Sequence, residues 1–579
     1  MKIKSVKIHN FRSIKEESFD LDAFSLLVGE NNAGKTNVIS ALRVFYEEGG
    51  TKYNDKKDFP KFDTNDKESW IELTFILSDE ENELIKEEYK TADKVLKVRR
   101  YFKSDDKELI DSKNSNIFAY EKGELSKNQF YGAKNISSAK LGSAIYIPEM
   151  SKTSDTLKLS GPSPLRDITN FVFKKIVSNS PSYSQLNTAL EDFNKEFRVE
   201  SEGNEFSLNS LVQDINEQIS HWEIDFGFKI NAIKPEDIVK NLLNHYVTDR
   251  NLQDSEVDID NLGQGLQRHI IYTLIRLSSK YVDKKTPKKK DFNPDFTLLL
   301  FEEPEAFLHP SQQEYLNLSL KRLSKENQIL ITTHSTTFVS KNINQLPSII
   351  KVNKNSGRTS VYQIKNEVLE KLWNTNAGMY KYFSDLLVND SSDSKLIKFI
   401  KDKHLGEETP DILKKIDDES FRYSLWLDTE RASAFFAKHV LICEGATEKV
   451  IFDYLIANSW EELQKKQIYV LDSMGKFNIH RYMNLFSELG INHSVLYDGD
   501  GEKIGQEEVN KYINENKNDF TCAIAFFDVD MESFLGYEAP KRKDIKPLTA
   551  LSKLTNDEIP EEKIQDLKDK ITNLLQEKD

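Results

Sequence analysis

The sequence predicts an α/β protein made of two sheet-centred units in series, and three observations predict it. Gly29-Glu30-Asn31-Asn32-Ala33-Gly34-Lys35-Thr36 fits G-x-x-x-x-G-K-[ST] and lies between an apolar strand, Phe24-Ser25-Leu26-Leu27-Val28, and the helix-spaced run 37–45. Thr297-Leu298-Leu299-Leu300-Phe301-Glu302-Glu303-Pro304-Glu305 is a second apolar strand, ending in adjacent carboxylates. From Val440 onward, three more apolar strands each end in Asp or Glu.

Composition sets the limits. At 579 residues the chain accommodates two to four domains, and 30% charged with 38% hydrophobic residues is a soluble, globular balance. No apolar run reaches the length of a membrane span, and the N-terminus lacks a signal-peptide core. Two cysteines, Cys443 and Cys522, give no metal spacing, so a reducing cytoplasm is the expected compartment. A net charge of −15 argues against a uniformly basic DNA-coating protein, though one basic groove remains compatible with it. The clearest basic run, Lys284-Lys285-Thr286-Pro287-Lys288-Lys289-Lys290, reads either as a solvated loop or as a phosphate-contacting surface.

In order along the chain, residues 1–8 alternate like a half-buried strand. A strand, a glycine loop and a helix N-terminus then aim N–H groups and a positive dipole end at one anion, which makes 29–36 a nucleotide site. Its contact set is Asn31, Asn32, Ala33, Gly34, Lys35, Thr36 and Asn37. Lys35 is expected to reach the β and γ phosphates of ATP, and Thr36 to offer its hydroxyl to Mg²⁺. Trp70 to Leu77 alternates as a half-buried strand; 80–140 is assigned only loosely; Ala144-Ile145-Tyr146-Ile147-Pro148 is a short strand. From about 155 to 245 the spacing turns helical, clearest at 187–197 and 211–219. This insertion reads equally as an oligomerisation element or as a lobe packed on its own domain. At the end of strand 297–301, Glu302 is the metal-side acid, acting through a water, and Glu303 the base that polarises the attacking water. Beyond about 350 the pattern reads as mostly helical. The domain limits are 1–375, a helical connector at 376–437, and a second α/β domain at 438–579.

In that second domain, Val440-Leu441-Ile442-Cys443-Glu444-Gly445-Ala446-Thr447-Glu448 and Ser494-Val495-Leu496-Tyr497-Asp498-Gly499-Asp500 bring carboxylates to one edge of a parallel sheet. Such an oxygen-rich set suits Mg²⁺ or Mn²⁺. Glu444 and Asp498 are the catalytic candidates, with Glu448 and Asp500 as further ligands. Asp530 and Glu532 follow a third strand and suit a second ion, as an in-line phosphodiester displacement uses. Met474-Gly475-Lys476 reads as a glycine turn of the same sheet. Lys546 is the candidate for stabilising transition-state charge, with a solvated basic loop as its alternative.

Several motifs resemble known families. Asn261-Leu262-Gly263-Gln264-Gly265-Leu266-Gln267-Arg268 resembles the signature loop of ABC-type ATPases, whose helix N-terminus caps a γ-phosphate held by the opposite subunit. His334, at the end of strand 328–333, matches their switch histidine. Asn10-Phe11-Arg12-Ser13-Ile14 resembles the N-terminal signature of SMC- and RecF-like heads, and a dimer closed around ATP is what that resemblance implies. The second domain resembles a Toprim domain. Together they make the chain similar, over nearly its whole length, to the OLD (overcoming lysogenization defect) family nucleases, and 427–438 looks like that family's linker. The family includes stand-alone members, Gabija nuclease subunits encoded beside a helicase-like partner, and effectors associated with a retron, a reverse transcriptase with its DNA. The resemblance implies an ABC-type ATPase head with a helical insertion followed by a Rossmann-like Toprim domain, acting on DNA in anti-phage defence. An ATP-switched DNA clamp or sensor with an inactive Toprim site is the alternative reading. A primase or topoisomerase ranks last, since no nucleophilic tyrosine domain or primer-synthesis module is evident.

Overall fold

The computed structural model describes residues 1–149 except 112, 297–339, 343–389, 394–403, 405, 431–501 and 503–576. Within 150–296 it describes chiefly 180–197, 206–228, 246–249, 255–257 and 261–267 without 264. The lysine run at 284–290, Asp390 to Asp393, and 427–430 of the linker lie outside the described residues. Two compact units emerge: Met1–Glu149 with Pro287–Glu305 and Pro310–Asp579, and Met150–Thr286 with Ala306–His309.

In the first unit, β1 (Lys2–Phe11) and β2 (Ile14–Asp20) form a hairpin, so Asn10 to Ile14 spans its two-residue turn, Arg12-Ser13. β3 (Phe24–Val28) leads into α1 (Lys35–Tyr46), and β4 (Ser69–Ile76), β5 (Val95–Lys103), β6 (Ile117–Glu121), β7 (Glu124–Gln129) and β8 (Ser143–Ile147) follow. The loosely assigned stretch 80–140 thus contains three antiparallel strands separated by short helical turns and loops. In the second unit, α2 (Pro181–Phe197) and α3 (Leu208–Ile219) fall where the helical spacing predicts them, with Leu186, Phe193 and Leu211 exposed.

The first unit resumes with β9 (Thr297–Glu302), α4 (Pro310–Leu323), β10 (Gln328–Thr332), β11 (Ile349–Asn355) and β12 (Arg358–Gln363). The expectation of helix beyond 350 is corrected here: 349–363 is a β-hairpin, and helices begin only with α5 (Asn366–Asn376), α6 (Gly378–Asn389) and α7 (Ser394–Asp402). The twelve strands join in the order β7-β6-β5-β4-β1-β2-β12-β11-β3-β10-β9-β8. The run β11-β3-β10-β9-β8 is parallel. Its apolar strands bury Leu27, Leu298, Leu300, Leu330 and Ile350 beside Val38, Leu42 and Phe45 of α1. Burying each such side chain fully is worth about 1.5–3 kcal/mol, which fixes α1 and its N-terminus over the sheet edge.

β4 departs from the half-buried alternation its sequence suggests. Glu72 is 4% exposed and is neutralised by Lys97 (2.9 Å), Arg99 (2.8 Å) and the Tyr120 hydroxyl (2.6 Å). A buried carboxylate persists only with such partners.

A second sheet holds β13 (His439–Cys443), β14 (Ile468–Asp472), β15 (Asn492–Asp498) and β16 (Thr521–Phe527), all parallel, in the order β14-β13-β15-β16. α8 (Ala446–Asn458), α9 (Ile479–Glu488), α10 (Gln506–Glu515), the short α11 (Met531–Phe534), α12 (Lys546–Thr555) and α13 (Glu561–Leu574) surround it, with one further short helix at Glu461–Lys465. Leu441, Cys443, Phe452, Leu496, Phe527 and Ile571 share its core. The two sheets are tied together. Lys351 of β11, 1% exposed, donates to the carbonyls of Phe435 (2.8 Å) and Ala437 (3.1 Å), just before β13, and burial pushes its ammonium down to about 7. Among the described residues no helix is long and apolar enough to cross a membrane.

Candidate active sites

The first site sits where β3, β9 and β10 end. Gly34 caps α1 at φ 115° with no side-chain cap and no acid in the first turn, so the helix N-terminus presents an uncompensated positive end. A Cβ at Gly34 would lie 2.2 Å from Thr359 Oγ1, so the loop fits β12 only as glycine. Lys35 is 6% exposed; its Nζ donates to the carbonyls of Gly29 and Glu30 (both 2.8 Å) and lies 2.9 Å from His334 Nε2. Burial pushes the Lys35 ammonium down to about 8, against the pull of Glu303, Glu305, Glu30 and Glu302.

Thr36 Oγ1 donates to Glu302 Oε1 at 2.5 Å, and His334 Nε2 lies 3.3 Å from Glu303 Oε1. The structure thus gathers Lys35, Thr36, Glu302, Glu303 and His334. Asn37 donates to Ser13 Oγ (2.6 Å), while Arg12 reaches Ser40 Oγ (2.9 Å) and Asp58 (2.9 Å), so the hairpin turn braces α1. Asn31 and Asn32 are exposed and Ala33 is buried. Gly263 and Gly265 belong to the second unit, where the N–H groups of Leu266 and Gln267 bond back to the Gly263 carbonyl in a turn entering a helix.

Two residues of this site carry no role in the sequence reading. Glu305 Oε1 accepts from Thr333 Oγ1 (2.6 Å) and from the backbone N–H of His334 (2.7 Å) and Ser335 (3.2 Å), fixing the loop that carries His334. Burial raises its pKa. The Tyr146 hydroxyl donates to Glu302 Oε2. The third carboxylate in Glu-Glu-Pro-Glu was a visible signal for Glu305; Tyr146 had none.

The second site lies at the carboxyl ends of β13, β15 and β16. Backbone bonds zip two acidic loops together: Gly499 N–H to the Phe527 carbonyl (2.7 Å), Asp500 N–H to Val529 (2.8 Å) and Gly501 N–H to Asp528 (3.1 Å). The Met531 N–H donates to Asp498 Oδ1 (3.0 Å), and the Asp498 N–H to Glu444 Oε2 (3.2 Å). Asp530 caps α11 through the Ser533 N–H at 2.8 Å. Lys546 Nζ stands 3.0 Å from Glu532 Oε1.

These acids feel one another. Burial first, then Glu444, Glu532 and Asp530, push the Asp498 carboxyl up to about 7. Glu448, 4% exposed, is raised by burial and by Asp498, Glu444 and Glu532. Burial also raises Glu444. Asp500 differs: burial would raise it, but Lys476 (2.6 Å) and Lys503 (3.0 Å) outweigh that and hold it below the usual range. Lys476, read as part of a turn, is 2% exposed and also lies 3.9 Å from Glu444. Burial would lower Lys546, yet Glu532, Asp498 and Asp530 raise it.

Among the described residues no three such donors already close into a metal cage. The donor set is nonetheless all carboxylate, and the mutual elevation of Glu444, Glu448 and Asp498 is what a divalent cation would relieve. The residues fit a hard cation such as Mg²⁺ or Mn²⁺.

Comparison with known proteins finds a family for each of the two sheet-centred parts. The family described as AAA ATPase domain matches residues 1–339, and the overcoming lysogenization defect protein-like TOPRIM domain matches 435–500. The Old nuclease of Escherichia phage P2 is 25% identical over 86% of this chain and 77% of its own length. Endonuclease GajA of Bacillus cereus strain VD045 is 23% identical over 89% and 78%. A solved Smc head domain derived from Pyrococcus furiosus, bound to the C-terminal domain of ScpA, is 12% identical over 64% of this chain and 98% of its own, with a TM-score of 0.36. Domains of these two kinds use a nucleotide and a divalent metal in general. By a match that spans more than half its length, by the domain that follows, and by homology over most of the chain, the protein belongs to the AAA ATPase family and is an ATPase–TOPRIM enzyme homologous to the Old and GajA nucleases.

Proposed function

We propose that the chain is an ATP-binding, divalent-metal-dependent DNA endonuclease or nickase. The observation that carries this reading is the convergence of Glu444, Glu448, Asp498, Asp530 and Glu532 at one edge of a parallel sheet with Lys546 on Glu532. Glu444, Glu448 and Asp498 would hold one ion and Asp530 and Glu532 a second, with Asp500 set by its two lysines. Mg²⁺ or Mn²⁺, when bound, supplies an activated water and charge neutralisation at a backbone phosphate. Lys546 stands ready to stabilise the charge that develops on that phosphate, and Lys476 balances the acid cluster from the buried side.

At the nucleotide site, Lys35 and Thr36 face the phosphates and their Mg²⁺, Glu302 backs Thr36, and Glu303 against His334 orients the hydrolytic water. Supporting observations are the hydrogen bond from Thr36 to Glu302 and the contact between His334 and Glu303. The signature-like turn at Gly263 and Gly265 supports a homodimer or higher oligomer closed around ATP, in a cytoplasmic protein with domains at 1–375, 376–437 and 438–579. A role in anti-phage defence beside a helicase-like or retron partner rests on the resemblance to the OLD family, while the Old nuclease and endonuclease GajA relatives support the nuclease activity.

The test incubates the purified protein with supercoiled plasmid and Mg²⁺ or Mn²⁺, with and without ATP, beside Asp498→Ala. Nicked or linear product from the wild type alone, with ATP hydrolysis intact in both, is the expected result. Cleavage at full rate by a normally folded Asp498→Ala protein would overturn the metal site. ATP-dependent DNA binding without cleavage by either would favour a clamp.

A further inference from the structure

Both carboxylate oxygens of Glu302 are held. One carboxylate oxygen accepts from Thr36 Oγ1 at 2.5 Å, and the other accepts from the Tyr146 hydroxyl. The two donors come from different elements: Thr36 from the first turn of α1, Tyr146 from β8, the strand beside β9. In the parallel register Tyr146 pairs with Leu300, and Glu302, two residues on, shares the face of Leu300. That placement brings a phenol from a residue 156 positions away onto the acid at the strand end.

The phenol is itself fixed. The Arg43 guanidinium lies 3.8 Å from the Tyr146 ring centroid, and Arg43 Nε pairs with Glu48 at 2.9 Å. The Tyr146 N–H approaches the other Glu48 oxygen at 3.4 Å. Burial, and then Glu302, raise the Tyr146 pKa, so its hydroxyl stays a donor. A glutamate at the end of a strand has one more rotatable bond than an aspartate. Without a second anchor it has more ways to leave Thr36.

We propose that Tyr146 is a positioning residue of the nucleotide site: its hydroxyl fixes one oxygen of Glu302 so that the other stays on the Thr36 hydroxyl, presetting the pair against which a Mg²⁺–nucleotide complex binds. The proposal rests on the reading that Thr36 and Glu302 face the nucleotide's cation. Tyr146 acts through Glu302 and touches neither nucleotide nor metal. Groups that orient metal ligands from behind typically govern affinity by about ten- to a hundredfold.

The experiment measures binding of a fluorescent ATP analogue to the full chain across Mg²⁺ concentrations, with EDTA as the metal-free arm. Tyr146→Phe keeps the ring and its stack on Arg43. It is expected to raise the Mg²⁺ midpoint about tenfold while leaving binding in EDTA unchanged. Glu302→Asp withdraws the carboxylate from the phenol, so adding Tyr146→Phe to it should shift the midpoint no further. A Tyr146→Phe midpoint within about twofold of wild type, or full additivity in the double variant, would overturn the proposal. Thr36→Ala separates the two levels. If it too leaves the Mg²⁺ midpoint unchanged, the cation assignment fails and takes the proposal with it; if it shifts the midpoint and Tyr146→Phe does not, only the role of Tyr146 falls.

Discussion

Replacing Gly499 by Ala tests how closely the two acidic loops must approach. A Cβ there would lie 2.5 Å from the Phe527 carbonyl oxygen and 2.8 Å from that of Asp528, both backbone atoms with no rotamer to yield. That is about 1 Å short of ordinary contact, so the loop carrying Asp498 and Asp500 must retreat by a similar distance. The three bonds joining 499–501 to 527–529 measure 2.7, 2.8 and 3.1 Å, and a retreat of that size breaks them. At ~1 kcal/mol each, the loss is ~3 kcal/mol of local stability. Metal affinity should fall by about tenfold or more as Asp498 parts from Asp530 and Glu532. Gly501→Ala is the contrast. Gly501 has φ 60° with open space around it, so only the left-handed backbone is penalised, at ~1 kcal/mol. The assays are thermal melting of the metal-free protein, Mn²⁺ binding by calorimetry and plasmid nicking, with ATP hydrolysis as internal control. Wild-type metal binding and nicking in Gly499→Ala, or a larger defect in Gly501→Ala, would refute the reasoning.

Lys35→Ala should abolish ATP hydrolysis by removing the phosphate cation, whereas Glu303→Gln should bind ATP and stall; wild-type turnover in both would dismiss the nucleotide site. The Asp498 carboxyl, raised to about 7 in the fold from an ordinary 3.8, makes the native state hold the extra proton between those values. The metal-free protein should therefore melt lower at pH 8 than at pH 6, and Mn²⁺ should bind tighter at pH 8 with proton release at pH 6. Asp498→Asn should flatten both trends, and unaltered pH profiles in that variant would count against this origin. Charge reversal of Lys284, Lys285, Lys288, Lys289 and Lys290 should weaken DNA binding and flatten its salt dependence while sparing ATP hydrolysis. An unchanged salt slope would assign the run to a solvated loop.

What the sequence made legible is local. The glycine loop, the strand ending in Glu302-Glu303 and the Glu-Gly and Asp-Gly-Asp strand ends are contiguous, and each places its residues through the geometry of a single strand and turn. Tyr146, Glu305 and Lys476 escaped because each works across a gap. Tyr146 meets an acid on the next strand, Glu305 serves a loop after β10, and Lys476 serves Asp500 on another loop. No periodicity announces such pairings. The β11–β12 hairpin was within reach: Ser356-Gly357 is a two-residue turn between Asn355 and Arg358, with positive φ at both positions, and Asn-Ser-Gly between alternating segments is a hairpin signal. The helical spacing that begins with α5 at 366 and continues through α7 obscures it. Glu72 misled differently. Its alternation is genuine, but the side chains of Lys97, Arg99 and Tyr120 cover the face that the pattern assigns to water.

That hairpin also bears on how this architecture can be cut and rejoined. Lys351 holds main-chain carbonyls just ahead of β13, Asn353 donates to the Gly490 carbonyl at 2.5 Å, and Tyr362 packs so closely on Gly490 that a Cβ there would sit 2.4 Å from its ring. A chimera that exchanges the second sheet at a junction in the helices after 366 would separate these partners while leaving every motif intact. A graft that carries 349–363 across together with 431–579 keeps the seam whole. Breakpoints following β12 therefore cut this seam, whereas breakpoints ahead of β11 cut the pairing of β11 with β3 and of β12 with β2 instead.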